Sequence, residues 1–346
     1  MAASPKKSSI PATLIAGDGI GPEIIDAALE VLGAVAAPFA WDQQVAGMAA
    51  MEKFNDPLPQ VTLDSIRHTN LALKGPLTTP VGGGYPSANV ALRQTFDLYA
   101  NVRPSRTLML GGRYEGIDLV LVRENTEGFY VGFEHFVPIG GDPHAVAIGA
   151  GVNTRAGCRR ISEFAFNYAL RNGRRKVTIV HKPNILKALT GVFLETVREV
   201  GKAYEDKIEI EDRIVDACAM QLVLNPSQFD LILTTNMFGD ILSDEIAGLV
   251  GGLGMAPGAN IGKDAAIFEA VHGSAPDIAG KGVANPVALL LAACMMLDYV
   301  DEHGAARRIR TAIDKVLQED KVWTRDLGGK ATTKEITRAI VERLKS

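Results

Sequence analysis

The chain has 346 residues, 47% of them hydrophobic and 22% charged, which is enough material for a substantial core and for two domains. A formal net charge of −4 at pH 7 argues against the basic stripe of a nucleic-acid binder, so an anionic ligand would need a local basic pocket. Cys158, Cys218 and Cys294 are odd in number and widely spaced. They offer neither a disulfide framework nor a CxxC metal site, and the six histidines lack HExxH spacing.

Residues 1–10 carry two lysines but no apolar run and no Arg-rich amphipathic stretch. They read as a short disordered tail, and a cytoplasmic location is expected, or the mitochondrial matrix if a leader has been processed. Residues 12–16 read as a buried strand, and 22–35 have helical apolar spacing with Pro22 in the first turn. Between them GDGIG (17–21) has G-x-G-x-G spacing instead of the G-x-G-x-x-G of a Rossmann fingerprint, which leaves a tight strand-to-helix turn. Glycine-rich stretches at 81–84 and 248–262 lie beside dense polar groups and read as functional loops. Residues 119–122 are a further strand candidate. Strand then helix recurs at 177–180 before 185–200 and at 231–234 before 241–250. The apolar run 287–296 is too short to span a bilayer and reads as a buried helix, so no membrane partner is expected. Helical periodicity over 286 to about 317 and again over 333–344 closes the chain. The pattern predicts an α/β fold with a mostly parallel sheet clad by helices.

Four polar runs stand out: KGPLTTP (74–80), SANVALR (87–93), ANVRP (100–104) and RENTEGFY (123–130). They supply Arg93, Arg103 and Arg123, whose guanidinium forks suit a polycarboxylate, although any one alone reads as a solvated surface charge. In NMFGDILSDE (236–245), Asp240 and Asp244 stand four apart on a helix and would repel each other unless a cation sat between them. Alternatively they decorate a helix start, where Asp is a favoured N-cap.

With these motifs in order, the chain resembles the β-decarboxylating dehydrogenases, the isocitrate and 3-isopropylmalate dehydrogenase family, from about residue 13 to 299, and within it the NAD-dependent isocitrate enzymes. The resemblance implies that Thr79, Ser87, Asn89, Arg93, Arg103 and Arg123 bind isocitrate. It makes Tyr130 and Lys182, the latter in HKPN (181–184), the catalytic pair, with Lys182 taking the hydroxyl proton and Tyr130 protonating the enol. It assigns Mg²⁺ or Mn²⁺ to Asp216, Asp240 and Asp244. NAD falls to Ile20, Lys74, Thr79, Asn184, Glu269, His272, Gly273, Ser274, Ala275, Asp277, Ile278 and Asn285.

In the family, Lys182 and Asp216 reach the site from the other subunit, so a homodimer or higher oligomer is expected. The implied fold is non-Rossmann, with a discontinuous large domain (1–99 and 252–346) and a small domain (100–251) that carries a clasp-like segment at about 132–157. Asp277 would accept the ribose hydroxyls of NAD and repel a 2′-phosphate; NADP-specific members resemble this loop but place Lys and Tyr where this chain has Asp277 and Ile278. Ser87 and Asn89 offer polar contacts to a carboxymethyl group where an isopropyl group would want apolar ones. Isocitrate is therefore expected, with homoisocitrate, 3-isopropylmalate and tartrate or malate as alternatives and a non-catalytic regulatory subunit as an alternative of another class. Pro86 departs from the Arg common there in the NADP enzymes. A metal and the arginines are expected to favour the phenolate of Tyr130 and the neutral amine of Lys182.

Overall fold

The computed structural model describes residues 9–80, 87–109 and 114–345. Most of the expected tail, the glycine run at 81–84 and Pro86 lie outside the described residues. In chain order the strands are β1 (Ile10–Ile15), β2 (Phe39–Gln44), β3 (Leu71–Lys74), β4 (Ala100–Arg106), β5 (Asp118–Glu124), β6 (Gly128–Ile139), β7 (Asp142–Val152), β8 (Lys176–His181), β9 (Glu209–Ile214), β10 (Leu231–Thr234), β11 (Pro257–Ile261) and β12 (Ala266–Ala270). The helices are α1 (Gly21–Ala34), α2 (Met48–Phe54), α3 (Gln60–Thr69), α4 (Ala88–Thr95), α5 (Arg155–Arg171), α6 (Gly191–Gly201), α7 (Val215–Leu224), α8 (Asn236–Leu249), α9 (Val287–Tyr299), α10 (His303–Lys315) and α11 (Thr333–Lys345).

Ten strands form one sheet in the order β2-β1-β3-β12-β11-β4-β5-β10-β8-β9. The flanks are parallel, whereas β12–β11, β11–β4 and β4–β5 pair antiparallel. This central seam modifies the expected mostly parallel sheet. β4–β5 and β11–β12 are each joined by a connection that returns the chain directly beside itself, as parallel neighbours cannot be, whereas β11 and β4 are distant in sequence. β1, β5, β8 and β10 are buried on both faces and show the near-continuous apolar runs that such burial requires. The edge strands β2 (FAWDQQ) and β9 (EIEDRI) are half exposed and polar. β6 and β7 form a separate antiparallel pair whose side chains are mostly exposed.

α9 is buried on nearly all sides and packs on β11 and β12, matching its unbroken apolar sequence. The helical run expected over 286–317 is interrupted at 300–302, where Asp301 adopts φ 61° and turns the chain into α10. α6 starts at Gly191, later than the apolar spacing suggests, because the segment after His181 runs through turns that begin at Pro183. Among the described residues no helix is long and apolar enough to cross a membrane.

The GDGIG run is a structural turn. A Cβ on Gly19, at φ 57°, would lie 1.9 Å from the Ser274 carbonyl oxygen, and one on Gly17, at φ 77°, would lie 2.3 Å from that of Pro76. Backbone approach this close admits only glycine. Asp18 organises the crossing by accepting from the Met48 and Thr78 amides at 2.8 and 2.7 Å.

Candidate active site

α8 presents Asn236, Asp240, Ser243 and Asp244 at i, i+4, i+7 and i+8, one helical stripe turned toward β4 and β5. Thr235 is the N-cap residue, so the two acids sit in the second and third turns and the helix-start reading falls away. Opposite them, Arg123 on β5 is fully buried. It donates through Nε and Nη2 to Asn236 Oδ1 at 2.9 and 2.7 Å and through Nη1 to Asp240 Oδ1 at 2.5 Å. Arg103 on β4 donates to Ser243 Oγ at 2.5 Å and stands 3.5 Å from both Asp240 and Asp244. The Tyr130 hydroxyl donates to Asp240 Oδ2 at 2.5 Å, and its ring lies 5.1 Å from the Arg123 guanidinium.

Gly239 allows this contact. A Cβ there would lie 2.6 Å from Arg123 Cγ and 2.8 Å from its Cβ, atoms too near the strand backbone to swing aside. Gly239→Ala is expected to destabilise the protein by about 1–3 kcal/mol through overpacking. The urea midpoint of the variant checks this, and an unchanged midpoint would show that the strand and helix yield easily.

The electrostatics separate the two acids. Burial works to raise Asp240, but Arg123, the Tyr130 hydrogen bond and Arg103 outweigh it and hold the carboxyl below its usual range. Burial raises Asp244 despite Arg103. Burial, then repulsion from Arg103 and Arg93, brings Arg123 down to about 10, so the three guanidiniums act on one another. Burial and the hydrogen bond to Asp240 raise the Tyr130 pKa.

A second group lies on the opposite flank. Lys74 Nζ, at the end of β3, pairs with Glu269 Oε2 of β12 at 2.6 Å, and Arg93 stands 4.0 Å from Oε1 of the same carboxylate. Burial would raise Glu269, but Lys74 and Arg93 hold it at about 2. Asn89 lines the small pocket beside this group, and its Oδ1 is buried with no hydrogen-bond partner among the described residues. Ser87 caps α4, accepting from the Val90 amide at 3.4 Å, and Thr79 Oγ1 donates to it at 3.2 Å.

The loop after β12 brings the remaining cofactor candidates beside the GDGIG turn. The Ile20 amide donates to the Ser274 carbonyl at 2.9 Å, and Thr78 Oγ1 donates to Ser274 Oγ at 2.7 Å. Gly273 and Asp277 are exposed, while Ala275 and Ile278 are partly buried. Burial lowers the His272 pKa, and its Nε2 is a second buried atom without a partner among the described residues. Asn285 donates to Asp326 at 2.9 Å. Asp18, Asn101, Ser243, Asn260 and Asp326 take part in these groups but were not among the sequence candidates. Only Ser243 had a readable signal, its helical spacing from Asn236 and Asp240.

Lys182 and Asp216 form an ion pair with each other, with Asn184 exposed nearby in the chain. Among the described residues no group of three His, Cys, Asp or Glu gathers as a metal cluster, so one chain does not assemble the expected three acids. Asp240 and Asp244 still fit a hard divalent cation. Their side chains are 39% and 55% exposed and present carboxylate oxygens four residues apart, suiting an ion that keeps several waters.

The sequence and fold agree with known proteins. The chain is 48% identical over 335 residues to the isocitrate/homoisocitrate dehydrogenase of Thermus thermophilus, covering 96% of this chain and 98% of the relative. It is 45% identical to catalytic subunit 5 of the mitochondrial NAD isocitrate dehydrogenase of Arabidopsis thaliana, covering 97% and 88%. The crystal structure of isocitrate dehydrogenase from Methylococcus capsulatus superimposes with a TM-score of 0.94 at 54% identity, covering 97% of this chain and 99% of that one. The isocitrate/isopropylmalate dehydrogenase family model matches residues 12–340. With the two-domain α/β fold of that family, this chain belongs to the isocitrate/isopropylmalate dehydrogenases.

Proposed function

We propose that the chain catalyses NAD-dependent oxidative decarboxylation of isocitrate to 2-oxoglutarate and CO₂, with Mg²⁺ or Mn²⁺. The observation that carries this reading is the convergence of Arg103, Arg123 and the Tyr130 hydroxyl on Asp240. A carboxylate clamp, a proton donor and a metal acid meet at one point.

Arg93, Arg103 and Arg123 orient the substrate carboxylates, and the Ser87 hydroxyl and the Asn89 amide nitrogen offer donors to the carboxymethyl group. Asp240, Asp244 and Asp216 of the partner subunit would hold Mg²⁺ or Mn²⁺, which would supply positive charge beside the oxygen that becomes anionic, and bound NAD would supply the hydride acceptor. Lys182 of the partner subunit takes the hydroxyl proton. Once CO₂ has left, Tyr130 gives a proton to the carbon, a role its raised pKa favours. The exposed carboxylate of Asp277 would take the ribose hydroxyls and disfavour a 2′-phosphate. Burial keeps the His272 imidazole neutral, leaving its orphaned nitrogen for the nucleotide.

The proposed domain division, 1–99 with 252–346 against 100–251, cuts the sheet between β11 and β4 and puts five consecutive strands on each side. A homodimer is supported by the Lys182–Asp216 pair standing outside the Asp240 group and by exposed apolar residues on α7 and α8, Met220, Leu224 and Ile241.

Initial rates with isocitrate, homoisocitrate, 3-isopropylmalate and malate, each with NAD and NADP, test the reading. The highest kcat/KM is expected for isocitrate with NAD. A higher value for homoisocitrate would move the chain to that substrate, and no turnover of any acid would favour a regulatory subunit.

A further inference from the structure

Arg103 and Glu269 are joined through a buried chain of amides. Arg103 Nε donates to Asn101 Oδ1 at 2.7 Å, Asn101 Nδ2 donates to Asn260 Oδ1 at 2.8 Å, and Asn260 Nδ2 donates to Glu269 Oε1 at 2.7 Å. Asn101 and Asn260 are 1% and 2% exposed and lie directly opposite each other on the antiparallel pair β4–β11. Asn125 Nδ2 adds a donor to Asn260 Oδ1 at 3.0 Å.

The ends fix the direction of every link. A guanidinium only donates and a carboxylate only accepts, so each amide must present oxygen toward Arg103 and nitrogen toward Glu269. Neither asparagine is needed to pair the strands, which is a backbone task, and a buried amide is costly unless satisfied on both sides. This chain of donors instead ties the guanidinium beside Asp240 and Asp244 to the carboxylate that holds Lys74 and Arg93.

We propose that Asn101 and Asn260 are positioning residues that lock the substrate-side arginine and the cofactor-side glutamate into one register, so that a disturbance at either end is felt at the other. This rests on the functional reading above. Buried polar networks can be worth more than the sum of their pairs, so cutting one link should loosen both ends.

The test uses the full-length enzyme with N101A and N260A, their double variant, and the isosteric N101D and N260D, which keep volume but lose the onward donor. N260A should raise the isocitrate KM about tenfold although Asn260 lies at the Glu269 end. N101A should weaken calorimetric NADH binding and raise the NAD KM by a similar factor although Asn101 lies at the Arg103 end. The double variant should be no worse than the weaker single variant. The proposal is overturned if each change affects only the ligand at its own end, if the effects add, or if only thermal midpoints move. Failure of all the variants to fold would likewise assign the asparagines to stability alone. A wild type that forms no NADH from isocitrate would defeat the functional reading instead, and NADH calorimetry on N101A and N101D would still decide the relay.

Discussion

Tyr130→Phe is expected to lower overall decarboxylating turnover by about 10²- to 10⁴-fold, the usual worth of a positioned general acid. The same variant should still reduce a supplied keto-acid intermediate at the wild-type rate, because that half-reaction does not need a proton delivered to carbon. Burial and the bond to Asp240 raise the phenol above its ordinary value near 10, a direction that suits a proton donor. Equal losses in both half-reactions would contradict the division of roles, because Tyr130 would then serve binding or hydride transfer as well.

Glu269→Gln should produce the largest change in stability. Lys74 is 2% exposed, and removing its partner's charge leaves a buried ammonium without a counter-ion, which costs about 3–5 kcal/mol in comparable pairs. The pH dependence has a definite sign. The folded carboxyl sits at about 2 against an ordinary 4.5, a depressed value, so its contribution is present above about pH 4.5 and is lost as pH falls toward 2. The stability gap between wild type and Glu269→Gln in urea unfolding should accordingly be full at pH 7 and shrink as the pH drops from about 5 toward 3. Adding Lys74→Met to the variant should recover part of the loss. Equal stability of wild type and Glu269→Gln at pH 7 would show that the pair is not energetically coupled.

The buried flanks of the sheet were legible because strands covered on both faces carry near-continuous apolar runs, as β5, β8 and β10 do at 119–122, 177–180 and 231–233. The edges were not. β9 reads as polar, and β6 and β7 have no core to impose alternation. Asp240 and Asp244 were legible through helical spacing, but their place within the helix was settled by Thr235 as N-cap residue. Asn101 and Asn260 were invisible because isolated asparagines signal turns. Only the pairing of β4 with β11 sets them face to face across 159 residues of sequence. Sequence placed the cations near Tyr130, but not the burial of its ring or the carboxylate that accepts its hydrogen bond.

The central claim is an isocitrate dehydrogenase site completed by two chains, and subunit complementation tests it most directly. Asp240→Asn and Lys182→Met homodimers should each form almost no NADH from isocitrate. After subunit exchange, each mixed dimer would hold one site carrying both lesions and one carrying neither. Activity should then return to roughly a quarter of wild type, since half of randomly paired dimers are mixed and each has one intact site. A mixture that exchanges subunits and stays inactive would contradict the account, as would a wild type that forms no NADH.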